Sequence, residues 1–362
     1  MTDTTVRSIF SDMAGNLRPT VVSIYGALVS GNVAVWIWAV TAFRNSPILL
    51  GTALLAYSFG LRHAFDADHI AAIDNVTRKL MQNGKRPASV GFFFSLGHST
   101  VVVVLLVIIA LTTTALTTRY FDIKIVGYVI GTTVSALFLF AIAGANIRVL
   151  SQVYHAFLAV KRGQDPKEEI GQIFTQSGFL CRIFHRLFRL IERSWHMYPL
   201  GLLFGLGFDT ATEVGLLGIS ARQASQGMSM WSILIFAALF TAGMSLMDTT
   251  DGIVMVGAYD WAFVDPVRKL FYNLVMTFIT VIVAVVIGGI EVLGLIGGKL
   301  LLHGSFWDGM RMASDNSSTL GYAMVALFMV IWLVSLVIYR ANGYDRLGKP
   351  KAVSVATALE EP

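Results

Sequence analysis

Arg62-His63-Ala64-Phe65-Asp66-Ala67-Asp68-His69 sets five ionisable side chains into eight residues, between flanks apolar enough to enter a bilayer. Each such group costs at least ~2.5–3.5 kcal/mol at membrane depth, and groups retained at that cost mark a substrate or ion path. Two imidazoles and two carboxylates also make up a donor set for a borderline divalent transition metal. On a regular helix His63, Asp66 and His69 form an i, i+3, i+6 stripe with Arg62 beside it, while Asp68 points away. Asp68 joins them only if the helix unwinds locally, as transporter helices do where backbone lines a cavity. The bland reading is an ion-pair network in which Arg62 satisfies Asp66 at i+4. The density of charge argues against it, because apolar packing would hold the helices more cheaply.

Three further stretches carry polar groups at comparable depth. Leu96-Gly97-His98-Ser99-Thr100 places an imidazole beside a glycine and two hydroxyls, small residues that let helices approach closely. Leu206-Gly207-Phe208-Asp209-Thr210-Ala211-Thr212-Glu213 sets Asp209 and Glu213 one turn apart with Thr210 next to them. Gly243-Met244-Ser245-Leu246-Met247-Asp248-Thr249-Thr250-Asp251 does the same for Asp248 and Asp251. So many acids cannot all stay ionised in a dry interior unless a cation neutralises them. Metal ligands are expected in His63, Asp66, Asp68, His69 and His98, with Asp209, Glu213, Asp248 and Asp251 orienting them or lining the route. Ligating imidazoles commonly donate their second N–H to a carboxylate.

The elements that position these groups follow from hydropathy. The 362 residues are 55% hydrophobic and 14% charged, outside the soluble class. Eight stretches are long enough to cross: 20–43, 47–73, 88–113, 125–149, 197–220, 230–256, 270–292 and 319–339. The expected fold is all-α, a polytopic membrane protein with eight transmembrane helices in one bundle. Of the 27 Lys and Arg residues, twenty, Arg78 among them, fall in segments on the N-terminal side of the membrane and six on the other. Both termini are therefore expected in the cytoplasm. The net charge of +5 is accounted for by these anchors and calls for no nucleic-acid partner. The whole chain, 1–362, reads as one transporter domain, with a cytoplasmic loop at 151–196 and a flexible cytoplasmic tail at 341–362. The basic run from Phe184 to Leu190 in that loop suits a helix lying on lipid headgroups. The first span reads as a retained crossing and not as a signal peptide. Cys181 is the lone cysteine, so neither a disulfide within the chain nor a thiolate site is expected.

Phe59-Gly60-Leu61 parallels Phe204-Gly205-Leu206, and Gly97-His98-Ser99 parallels Gly243-Met244-Ser245. Pairing the second span with the fifth and the third with the sixth gives halves of opposite orientation, an inverted repeat with a site at its interface.

Together the four motifs resemble the signature set of the nickel/cobalt transporter family (NiCoT), including its H-x4-D-H pattern as His63, Asp68 and His69. The resemblance covers residues 62 to 252. It implies a high-affinity bacterial permease for Ni²⁺, Co²⁺ or both, with eight helices and inward termini. It also implies that Phe65 and first-span polar residues such as Asn32 influence the choice between the metals. From the residues alone, imidazole with carboxylate suits Ni²⁺, Co²⁺ and Zn²⁺ and disfavours Mg²⁺, and Cu⁺ would want thiolates. The expectation is thus a secondary transporter of the bacterial cytoplasmic membrane, carrying the ion as substrate between spans two, three, five and six. Ser99 lies beside that route. No cofactor, catalytic group or ATPase partner is expected, since no nucleotide-binding motif is present. The rivals are an exporter of the same metals and an intramembrane metalloenzyme; the latter would ordinarily show H-E-x-x-H or a nucleophile, and the chain contains neither pattern.

Overall fold

Apolar runs set the architecture. In the computed structural model the described residues are 17–111, 117–162, 191–206, 216, 218–220, 222–223, 227–262 and 266–341, and they contain helices and no strand. In chain order the helices are α1 (Arg18–Phe43), α2 (Pro47–His63), α3 (Ala67–Gln82), α4 (Val90–Leu111), α5 (Thr117–Lys161), α6 (Met197–Phe204), α7 (Met230–Ala262), α8 (Pro266–Lys299), α9 (Ser305–Asp315) and α10 (Ser317–Ala341). A 3₁₀ turn, Ser194–His196, leads into α6. Among the described residues five helices are long and apolar enough to cross a bilayer, or six when the bent pair α2–α3 counts as one crossing. The expected spans 125–149 and 197–220 overlap α5 and α6, which do not meet that length and composition test over the described residues. The amphipathic run 184–190, Cys181 and the tail after residue 341 lie outside the described residues.

α2 and α8 begin with proline at the first helical position, where its fixed φ and missing N–H cost nothing. α1 and α10 turn Val22, Val29, Val33, Val330, Val334 and Val337 outward. In a bilayer such a face meets acyl chains and carries no penalty, so helix association rests on fit instead. Glycine supplies that fit. A Cβ on Gly97 of α4 would strike the Tyr198 carbonyl of α6, and one on Gly201 of α6 would strike the Phe94 carbonyl of α4. Gly60 of α2 is pressed in the same way against the Phe240 carbonyl of α7.

The second expected span is not one regular helix. α2 stops at His63, α3 starts at Ala67, and the axes differ by 51°. Phe65 N–H bonds to the Arg62 carbonyl and Asp66 N–H to the His63 carbonyl, i to i−3 links that tighten the chain before α3 resumes with Ile70 N–H to the Asp66 carbonyl. The residue types allow this break. Arg62 and His63 sit where a helix C-terminus favours positive groups, and Asp66 takes an N-cap position with extended backbone. α3 then runs on to Gln82, nine residues beyond the expected end of the span. Arg78, which the sequence places among the inner-face anchors, is buried within the bundle. The correction has a simple cause: hydropathy windows penalise charge wherever it lies, and a buried Arg is indistinguishable from a loop Arg by composition.

Candidate metal site

The break between α2 and α3 brings together residues that a straight helix would space along its length. One ring nitrogen each from His63, His69 and His98 lies within 4.8 Å of the others, and all three side chains are buried. His63 ends α2, His69 lies in the first turn of α3, and His98 comes from the middle of α4. The ring centroids of His63 and His69 are 4.6 Å apart, and each stands 4.8 Å from that of His98. Phe240 of α7 and Phe94 of α4 wall the imidazoles, with centroids 5.5 Å from His63 and 4.8 Å from His69 respectively.

Two carboxylates orient two of the rings. His63 Nδ1 lies 2.7 Å from Asp66 Oδ2, and Ser318 Oγ–H donates to the other Asp66 oxygen. His69 Nδ1 lies 3.3 and 3.4 Å from the two oxygens of Asp248. With Nδ1 protonated toward each acid, Nε2 of both rings presents a lone pair inward. This carboxylate–imidazole arrangement raises ligand basicity and fixes the tautomer at metal sites. His69 Nε2 is buried with no hydrogen-bond partner among the described residues, and His63 Nε2 stands 3.0 Å from His98 Nε2. Asp66 occupies the N-cap of α3 yet makes no capping bond. Such a bond is worth about 1 kcal/mol. Its carboxylate is committed to His63 and Ser318 instead. Asp66 and Asp248, both 0% exposed, together match the charge of a divalent ion.

The other expected residues are distributed as follows. Asp68 turns away from the imidazoles; its Oδ1 accepts the His69 backbone N–H at 2.9 Å, and it lines a pocket with Glu291, Ser314 and Ser317. Arg62 is exposed and does not pair with Asp66, whose contacts are His63 and Ser318. Asn32 Oδ1 accepts from Tyr57 Oη–H at 3.0 Å, and its amide donates to the Leu28 and Ala242 carbonyls at 2.9 and 3.4 Å, tying α1 to α2 and α7. The Phe65 ring stacks at a tilt on Tyr322 of α10, 4.8 Å between centroids. Ser99 is buried next to His98. Asp251 holds a buried Oδ2 with no hydrogen-bond partner among the described residues. Asp209, Thr210 and Glu213 lie outside the described residues.

Sequence reasoning did not single out Ser318, Phe240 or Phe94. Ser318 opens the last long helix, 252 positions from Asp66, and nothing local to it signals that contact.

A family model described as "High-affinity nickel-transport protein" (NicO) matches residues 49–338. The chain is 55% identical to the high-affinity nickel transport protein of Cupriavidus necator over 332 residues, 91% of this chain and 95% of that protein. It is 41% identical to the high-affinity nickel-transport protein NixA of Helicobacter pylori, covering 83% and 92% of the two chains. It is 38% identical to the cobalt transport protein NhlF of Rhodococcus rhodochrous, covering 88% and 92%. No solved structure matches the chain. A polytopic helical membrane protein with three buried imidazoles facing one point, matched over most of its length to such proteins, belongs to the high-affinity nickel-transport family, a family of transporters and not of enzymes.

Proposed function

We propose that this protein is a secondary transporter that imports Ni²⁺, Co²⁺ or both across the bacterial cytoplasmic membrane, with His63, His69 and His98 as the ligands of the ion in transit. The observation that carries the reading is the convergence of three imidazole nitrogens within 4.8 Å, two of the rings backed by buried carboxylates. Imidazole-rich sites suit Ni²⁺ and Co²⁺, and the names of the relatives point to the same two metals. A bare dication cannot enter a dry bundle, but one that exchanges water for three nitrogens beside two carboxylates enters a neutral cage. Asp68 and Glu291 then sit on the approach and not in the coordination shell.

Eight crossings with both termini cytoplasmic remain the topology that the basic residues support, with the chain's two halves inverted. The glycine contacts favour that repeat. Gly60 and Gly243 seat α2 against α7, while Gly205 and Gly97 seat α6 and its C-terminal flank against α4. The repeat that maps Gly60 onto Gly205 and Gly97 onto Gly243 maps one helix pair onto the other. The inside-negative potential is sufficient as driving force, since a dication moving inward gains about 4.6 kcal/mol per 100 mV.

Purified protein in proteoliposomes under imposed voltage and pH gradients, with nickel, cobalt and zinc in competition, tests the whole reading. Inward nickel or cobalt flux that follows voltage is the expected result. Flux only outward, or none above protein-free vesicles, overturns it.

A further inference from the structure

Beyond the histidines, along α3 toward Gln82, lies a second set of buried polar groups. Asp74 is 0% exposed and Arg78 2%. Tyr259 Oη–H of α7 donates to Asp74 Oδ1 at 2.6 Å. Thr280 Oγ of α8 stands 3.5 Å from Asp74 Oδ2, but it is 2.7 Å from the Met276 carbonyl, and its single proton goes there. Asp74 Oδ2 is thus a buried carboxylate oxygen without a good donor. On α7, Asp251 Oδ2 is in the same condition. α3 and α7 meet at this level, where a Cβ on Gly252 would lie 3.5 Å from Ile73 Cγ2, and the two acids are within electrostatic reach of each other.

No cation touches either acid among the described residues. The Arg78 guanidinium, one turn past Asp74, is spent on neutral partners: it donates to Thr277 Oγ at 2.6 Å and Asn75 Oδ1 at 3.3 Å. Asn146 of α5 donates to the same Asn75 oxygen at 3.1 Å, which fixes that oxygen toward Arg78. Burying carboxylates with an oxygen left short of donors and no contacting cation is costly, and a guanidinium held a short distance away offsets that cost without filling the space.

We infer that Asp74 and Asp251 form a second, oxygen-ligated divalent-cation site, which receives the ion after His69 and Asp248 release it. The inference rests on the histidine reading above for the ion's route. Carboxylate oxygens hold Ni²⁺ and Co²⁺ less tightly than imidazole does, and a conducting path needs stations favourable enough to enter yet weak enough to leave. Arg78 sets that weakness: its charge disfavours a resident dication and returns the acids to rest once the ion departs.

Co²⁺ is the probe, bound to full-length detergent-purified protein and followed by equilibrium dialysis with visible spectra. Wild type should take one tight, nitrogen-ligated equivalent and a second at least tenfold weaker. Asp74→Asn should remove the second, leave the first within threefold, and lower nickel uptake in proteoliposomes at least tenfold. Arg78→Gln should tighten the second equivalent at least tenfold, a gain that misfolding cannot produce. A single equivalent in both wild type and Arg78→Gln, or a second equivalent that survives Asp74→Asn, overturns the inference. A wild type that lacks the nitrogen-ligated band but keeps the oxygen-ligated equivalent would overturn the histidine reading and sustain this one.

Discussion

His63 Nε2 and His98 Nε2 face each other across 3.0 Å between two different helices, with both residues buried. Two ring nitrogens at that separation hold either a shared proton or, with a small opening of the gap, a metal ion between them. Replacing His98 by alanine takes away one ligand and leaves the carboxylate-backed pair. Radiolabelled nickel uptake by cells expressing His98→Ala, at equal protein level, should fall to the background of the empty vector. Uptake within twofold of wild type would remove His98 from the ligand set.

Asp248 contacts the His69 ring, and in the proposed site it would act on a bound ion only through that imidazole. Removing such a backing carboxylate costs ~10–100-fold in metal affinity. Asp248→Asn keeps the shape and a hydrogen-bonding group, so the protein should fold, and Co²⁺ binding should weaken by that factor. Dialysis against graded Co²⁺ gives the number, and an unchanged affinity contradicts the role assigned to Asp248.

Ser318 acts one step further out, donating to the Asp66 carboxylate that contacts His63. A hydrogen bond to a charged group is worth about 1.5–3 kcal/mol. Part of that should appear as weaker metal binding in Ser318→Ala and part as lower stability. Nickel titration and thermal unfolding in detergent, read on the same preparation, separate the two shares. Ser318→Thr, which keeps the hydroxyl, should restore binding.

Gly201 and Gly97 let α6 and α4 approach to backbone contact. A valine at position 201 has no room against the Phe94 carbonyl, and overpacking of this kind costs typically about 1–3 kcal/mol, occasionally more. Gly201→Val should lower the thermal midpoint followed by circular dichroism and reduce the yield of monodisperse protein. A wild-type midpoint would mean that the helices separate there without penalty.

Asp68 and Glu291 line a pocket outside the histidine cluster. If they gather cations on the approach, Asp68→Asn should raise the KM for nickel severalfold at low ionic strength and leave the maximal rate nearly unchanged. Added salt should shrink the difference only in part, because both acids are half-buried and screening acts less on such charges. A fall in maximal rate at saturating nickel would instead place Asp68 among the ligands.

The membrane class, the helical character and the candidate ligand types could all be read from the chain directly. Apolar runs of bilayer length are a property of consecutive residues, and His63, His69 and His98 were conspicuous because charge and imidazole are costly in such runs. Asp66 was visible for the same reason. Which acid backs which ring was not, since a straight helix would pair residues by their angular spacing, and the chain breaks at residues 64–66 instead. Arg78 was misplaced because burial depends on neighbours far away in the sequence: Thr277 lies 199 positions along and completes its hydrogen bonding.

Local order thus determined what kinds of groups enter the membrane and roughly where, because hydropathy and ionisation belong to each residue alone. Tertiary structure decided which of them meet. The 51° bend, the glycine contacts that let α7 close on α2 and α4, and the arrival of Ser318 and Asp248 from remote helices together fix the site. The physical reason is that coordination needs several donors within a few ångströms of one point, a condition set by packing between helices and invisible to the spacing within any one of them.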